Sequence, residues 1–76
     1  MLTLLCEVIM EKLTKQELKI LKLVTLGYAN DEISKTVFLS IHTVKAHIST
    51  ILKKLEAKNR TNAVYIAFKN NLLDEE

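Results

Sequence analysis

Five residues between positions 42 and 53 are spaced for one kind of chemistry: His42, Lys45, Ala46, Ser49 and Lys53. At about 3.6 residues per turn they fall on one face of a helix. All are small, polar or cationic, and none is acidic. Ammonium, imidazole and hydroxyl groups in that pattern donate hydrogen bonds to phosphates and to base edges. The DNA major groove admits a single helix and is lined by phosphates, so such a face suits insertion there. The opposite face must then hold the helix to a core. Val44, Ile48, Ile51 and Leu55 follow the i, i+4, i+7, i+11 spacing of a buried stripe, with Leu52 at its edge. Ser40 precedes them as a helix cap. Residues 40–55 therefore read as a recognition helix.

The distribution of charge agrees with that placement. Residues 1–39 balance five lysines against five carboxylates. Residues 40–60 carry Lys45, Lys53, Lys54, Lys58 and Arg60 against Glu56 alone, a net of +4. Residues 61–76 sum to −2. The positive charge sits on and just after the recognition helix, as an electrostatic footprint for nucleic acid should. On charge alone, an ordinary solvated helix face is an equally good account.

Composition narrows the fold. Seventy-six residues, 49% hydrophobic, make one small domain with one core. With no proline and one glycine, the chain lacks the turn residues of a sandwich or barrel. The expected class is all-α. A lone cysteine, Cys6, forms no internal disulfide and fits a reducing, cytoplasmic compartment. No Cys/His cluster has zinc spacing, so no cofactor is expected. Residues 1–10 are apolar but contain Glu7, lack a basic start, and are too short to span a bilayer.

Three more elements are predicted around the recognition helix. Residues 13–26 form a helix opened by the Thr14–Glu17 capping box, with Leu13 and Leu18 placed as a hydrophobic staple. Ile20, Leu21 and Val24 face the core, and Gly27 ends it. Residues 30–37 form a short helix with Asn30 as N-cap and Ile33 and Val37 inward. Its first turn holds Asp31 and Glu32, which complement the helix dipole. This helix, the turn at Phe38 and Leu39, and the recognition helix make a helix-turn-helix. A last helix starts at Asn59 or Arg60 and runs to about residue 72. Ala63, Val64 and Ala67 line one face, and Tyr65, Phe68 and Leu72 another. A helix apolar over most of its circumference serves two interfaces or is fully buried. A symmetric homodimer through Tyr65, Phe68 and Leu72 is expected, the alternative being that Tyr65 and Phe68 lie in a groove of their own chain.

In their order and spacing these residues resemble the LuxR-type (GerE-like) helix-turn-helix domain of bacterial transcription regulators. The pieces are LTKQELKILKLVTLG at 13–27, NDEIS at 30–34, LS at 39–40, TVKAHISTILKKL at 43–55 and NRTNAV at 59–64. The resemblance spans residues 13 to about 67 and implies a four-helix fold; the domain is expected over 13–73, with an arm or linker at 1–12 and an acidic tail at 74–76. It implies double-stranded DNA as partner, a homodimer through the last helix, and allows RNA polymerase as a further partner. By position, Lys45, Ala46 and Ser49 match family residues that reach base edges. Thr43, Lys53, Arg60 and His42 are candidates for phosphate contact. Each has a plainer alternative: Thr43 supports the first helical turn, and Arg60 bonds carbonyls ending the preceding helix. His47, beside the apolar face, reads as structural.

The chain departs from the family at four positions. Ala29 stands for Ser or Thr, Ser34 for alanine, Glu56 for the glycine after the recognition helix, and Ala57 for a larger aliphatic residue. If position 56 needs a positive φ, Glu costs about 1 kcal/mol there. The function expected is a sequence-specific DNA-binding transcription regulator, either stand-alone or the effector domain of a larger one. The rival is a helical protein-interaction module that uses the basic face or the Tyr65/Phe68 face. An enzyme is not expected, because Cys6, His42 and His47 fall on different elements with no carboxylate pair or phosphate loop beside them.

Overall fold

The computed structural model describes residues 13–70. The arm at 1–12 with Cys6, Leu72 of the expected dimer face, and the tail at 74–76 lie outside the described residues. Among the described residues there are four helices and no strand: α1 (Lys15–Thr25), α2 (Asn30–Val37), α3 (Ile41–Leu55) and α4 (Arg60–Lys69). The last expected helix thus ends, within the described part, at Lys69 and Asn70.

Local chemistry opens each helix. Thr14 Oγ1 accepts from the Glu17 amide at 3.1 Å, and Glu17 Oε1 accepts from the Thr14 amide at 2.9 Å. Both arms of the expected capping box are present. Ser40 Oγ accepts from the Thr43 amide at 3.0 Å, and Asn59 Oδ1 from the Asn62 amide at 2.8 Å. At α2 the expectation needs correcting. Asn30 is the first helical residue and Ala29 occupies the cap. Alanine has no side-chain acceptor, so only half a box forms, Glu32 Oε1 accepting from the Ala29 amide at 2.8 Å. The Asn30 side chain is engaged elsewhere, by Arg60.

Three helices end on a left-handed residue. Gly27 (φ 90°) follows α1, Phe38 (φ 60°) follows α2 and Glu56 (φ 57°) follows α3. Each is followed by an amide bonded five residues back: Tyr28 to Leu23 O, Leu39 to Ser34 O and Ala57 to Leu52 O. This is the Schellman pattern, which satisfies carbonyls left open at a helix end. Only one of the three positions carries glycine. The turn after α2 is closed further by Ser34 Oγ, which donates to Leu39 O at 2.6 Å. An alanine at 34 offers no such bond.

α3 packs against all three other helices, and α1 packs against α2 and α4 as well. Ile20 and Leu21 of α1, Ile33 of α2, and Val44 and Ile51 of α3 are fully buried. Ala63 and Ala67 bring α4 close to this core. Burying these side chains, at about 1.5–3 kcal/mol for each large one, holds α3 in place by one face and leaves the other outside.

Candidate nucleic-acid interface

The outward face of α3 is the one the spacing predicts. Val44, Ile51 and Leu55 are buried and Ile48 and Leu52 pack against them. On the far side His42, Lys45, Ala46, Ser49 and Lys53 are all exposed, within an arc of about 100°. No carboxylate of α3 lies in this arc; Glu56, just past the helix end, is the nearest in sequence. The amino end is ordered by a hydroxyl pair, Ser40 Oγ donating to Thr43 Oγ1 at 3.0 Å. Thr43 is half-buried and does support the first turn, while its amide is taken by Ser40.

The cations near this face divide into distinct groups. Lys45, Lys53 and Lys58 are exposed. Lys54 is not part of the outward face: its Nζ donates to Glu17 Oε1 of α1 at 2.7 Å. Lys54, counted in the +4 of residues 40–60, is thus paired within the domain. It sits about 100° around the helix from Lys53, on the edge that meets α1. Glu17 is only 5% exposed. Burial pushes its carboxyl up, but the Lys54 bond, the Thr14 amide and the charges of Lys54 and His47 outweigh that. The carboxyl is held below its ordinary value and stays ionised. His47 is half-buried on the same edge.

Arg60 takes a third role. Its Nη1 donates to Asn30 Oδ1 at 2.7 Å and its Nη2 to Tyr28 O at 2.7 Å. It clamps the turn before α2, not the carbonyls ending α3. Both acceptors are neutral, so the guanidinium keeps its charge and further N–H donors. Neither the Lys54 nor the Arg60 partner has a local signal, since they lie 37, 30 and 32 residues away. A helical wheel does separate Lys54 from Lys53, and that was the available hint.

On α4, Tyr65 and Phe68 are 59% and 61% exposed, so they do not lie in a groove of their own chain. Lys69 Nζ stands 5.6 Å from the Tyr65 ring centroid. Among the described residues no group of three or more His, Cys, Asp or Glu converges as a metal site. No helix there is long and apolar enough to cross a membrane.

A short helix, a tight turn and a second helix with an exposed basic face, backed by two further helices, define a helix-turn-helix domain of the DNA-binding class. Residues 11–67 match the family described as bacterial regulatory proteins, luxR family, and the chain belongs to it. It is similar to the response regulator protein VraR of Staphylococcus aureus, and to the proteins of that name from Staphylococcus saprophyticus and Staphylococcus epidermidis. Each is 49% identical over 63 residues, which is 83% of this chain and 30% of the relative. The chain thus spans under a third of the length of these relatives.

Proposed function

We propose that this domain reads double-stranded DNA in sequence-specific fashion for transcription regulation, with α3 in the major groove. The observation that carries the reading is the exposed, acid-free arc of α3, fixed from behind by Val44, Ile51 and Leu55. Lys45 donates to guanine O6 or N7, Ser49 bonds a neighbouring base edge, and Ala46 offers a methyl contact to thymine. Lys53, Thr43, His42 and Arg60 take phosphates, with Lys58 adding charge, and these contacts set register and salt dependence. The amides at the start of α3 favour an anion in the same place. The function is binding, without a chemical step. It is exercised in the bacterial cytoplasm, where the chromosome lies.

The exposure of Tyr65 and Phe68 supports a homodimer through α4. A pair of such domains reads two half-sites about one helical turn apart. The names of the similar proteins favour action as the DNA-reading part of a response-regulator type of protein.

Selection of bound duplexes from a random pool, repeated at two salt concentrations, tests the reading. A palindromic motif whose affinity falls as salt rises is expected. On that motif Lys45→Ala lowers affinity by ~1–3 kcal/mol and relaxes one base pair. Lys53→Ala weakens all sequences alike. A Lys45→Ala loss that is equal on motif and random DNA removes Lys45 from base reading. Absence of binding at low salt turns attention to the Tyr65/Phe68 face as a protein-docking surface.

A further inference from the structure

Lys54 is a cation of the recognition helix that faces away from the proposed DNA side. Its Nζ lies 2.7 Å from Glu17 Oε1, and the same oxygen accepts the Thr14 amide that opens α1. The Lys54 side chain is 30% exposed and that of Glu17 7%. The bond therefore joins the N-terminal cap of α1 to the last turn of α3, across the core. His47, seven residues before Lys54, lies half-buried on the same edge of α3. Apolar contacts at Val44, Ile51 and Leu55 set how far α3 stands from α1. Their close packing limits how far α3 can turn, but the hydrophobic driving force behind it is not itself directional. A charged bond at the edge of the interface restrains that rotation directly.

Rotation is the coordinate on which base reading depends. Side-chain tips ride about 6 Å from a helix axis, so a turn of about 10° moves them by about 1 Å. Working geometries tolerate only about 0.5 Å. We propose that the Glu17–Lys54 pair is a positioning device: it fixes the rotation of α3, and so the aim of Lys45, Ala46 and Ser49, without touching DNA. This rests on the DNA-reading function above and extends it to two residues outside the contact face.

Equilibrium binding of the full chain to its selected operator and to a random duplex, over a series of salt concentrations, tests it. The variants are Lys54→Met, which keeps the packing stem, and Glu17→Gln, which keeps the capping box. Circular dichroism sets a temperature at which each is folded. Each variant is expected to lower operator affinity about tenfold and leave random-duplex affinity and the salt slope unreduced. The double variant should lose no more than either single one. Lys53→Ala is the contrast, lowering both affinities and the slope by about 0.9. A fall of that size with Lys54→Met means that Lys54 touches phosphate, and overturns the proposal. An operator-to-random ratio equal to wild type in the folded variants leaves the pair merely structural, and overturns it too. A wild-type chain that binds no duplex refutes the DNA reading itself, and this proposal with it.

Discussion

The turn between α2 and α3 holds its most costly backbone position at Phe38. With φ 60° and ψ 43°, the residue is in the left-handed region, which non-glycine residues pay about 1–2 kcal/mol to enter. Its ring offsets little of that, being 91% exposed. A buried remainder of about 20 Å² is worth at most about 0.5 kcal/mol. Asparagine enters the left-handed region routinely through local hydrogen bonds, so Phe38→Asn should stabilise the domain by about 1 kcal/mol. For a chain of this size that raises Tm by about 4–8 °C. Thermal and urea unfolding followed by circular dichroism measure it, and the urea slope should not change. Phe38→Gly should also stabilise, less about 0.4–1 kcal/mol for the looser unfolded chain. Phe38→Ala is the decisive control, because it removes the ring and keeps the strain. It should stay within about 0.5 kcal/mol of wild type. A gain with alanine equal to that with asparagine would show that ring exposure, not backbone geometry, carries the cost. An asparagine variant at or below wild type would refute the strain argument outright.

Two further outcomes follow from the same geometry. Glu56 repeats the left-handed cap at φ 57° and is exposed, so Glu56→Gly should raise stability by about 0.5–1 kcal/mol in the same unfolding assay. Glu17 makes stability depend on acid: its folded carboxyl titrates below its ordinary value, so the unfolded chain binds the proton first as pH falls. Its contribution is whole above the ordinary carboxylate range and is lost as pH drops through the folded value. Urea unfolding between neutral pH and pH 3 should therefore show a steeper acid loss for wild type than for Glu17→Gln. Parallel profiles would refute it.

What the sequence made legible is what lies within about four residues of its partner. Thr14 with Glu17, Ser40 with Thr43 and Asn59 with Asn62 are caps of span three, and all three sit at helix starts. The buried stripe of α3 is equally local, because the helical period alone decides which face turns inward. Phe38 was not legible, since nothing in its type favours the conformation it takes. The turn geometry that aims α3 imposes it, and the Ser34 hydroxyl helps to hold it. The helical period already took Lys54 off the outward face, but the partners of Lys54 and Arg60 were not legible, because they are brought near only when α1, α2 and α4 pack on α3.

That pairing changes a number that residue counting sets wrongly. Lys45, Lys53, Lys54, Lys58 and Arg60 taken together, all placed on phosphates, give a salt slope of about −4.5 per domain. Lys54 is neutralised by an ionised carboxylate, whereas Arg60 bonds two neutral oxygens and keeps its charge. Four cations remain, one of them Lys45 on a base edge, so the slope expected lies between about −2.7, without Lys45, and about −3.6, with it. The counterion dropped from the first count belongs to a lysine whose neighbour in sequence, Lys53, faces solvent. Adjacent lysines on one helix thus do different work, because a step of about 100° carries one of them off the exposed arc and onto the edge where Glu17 waits.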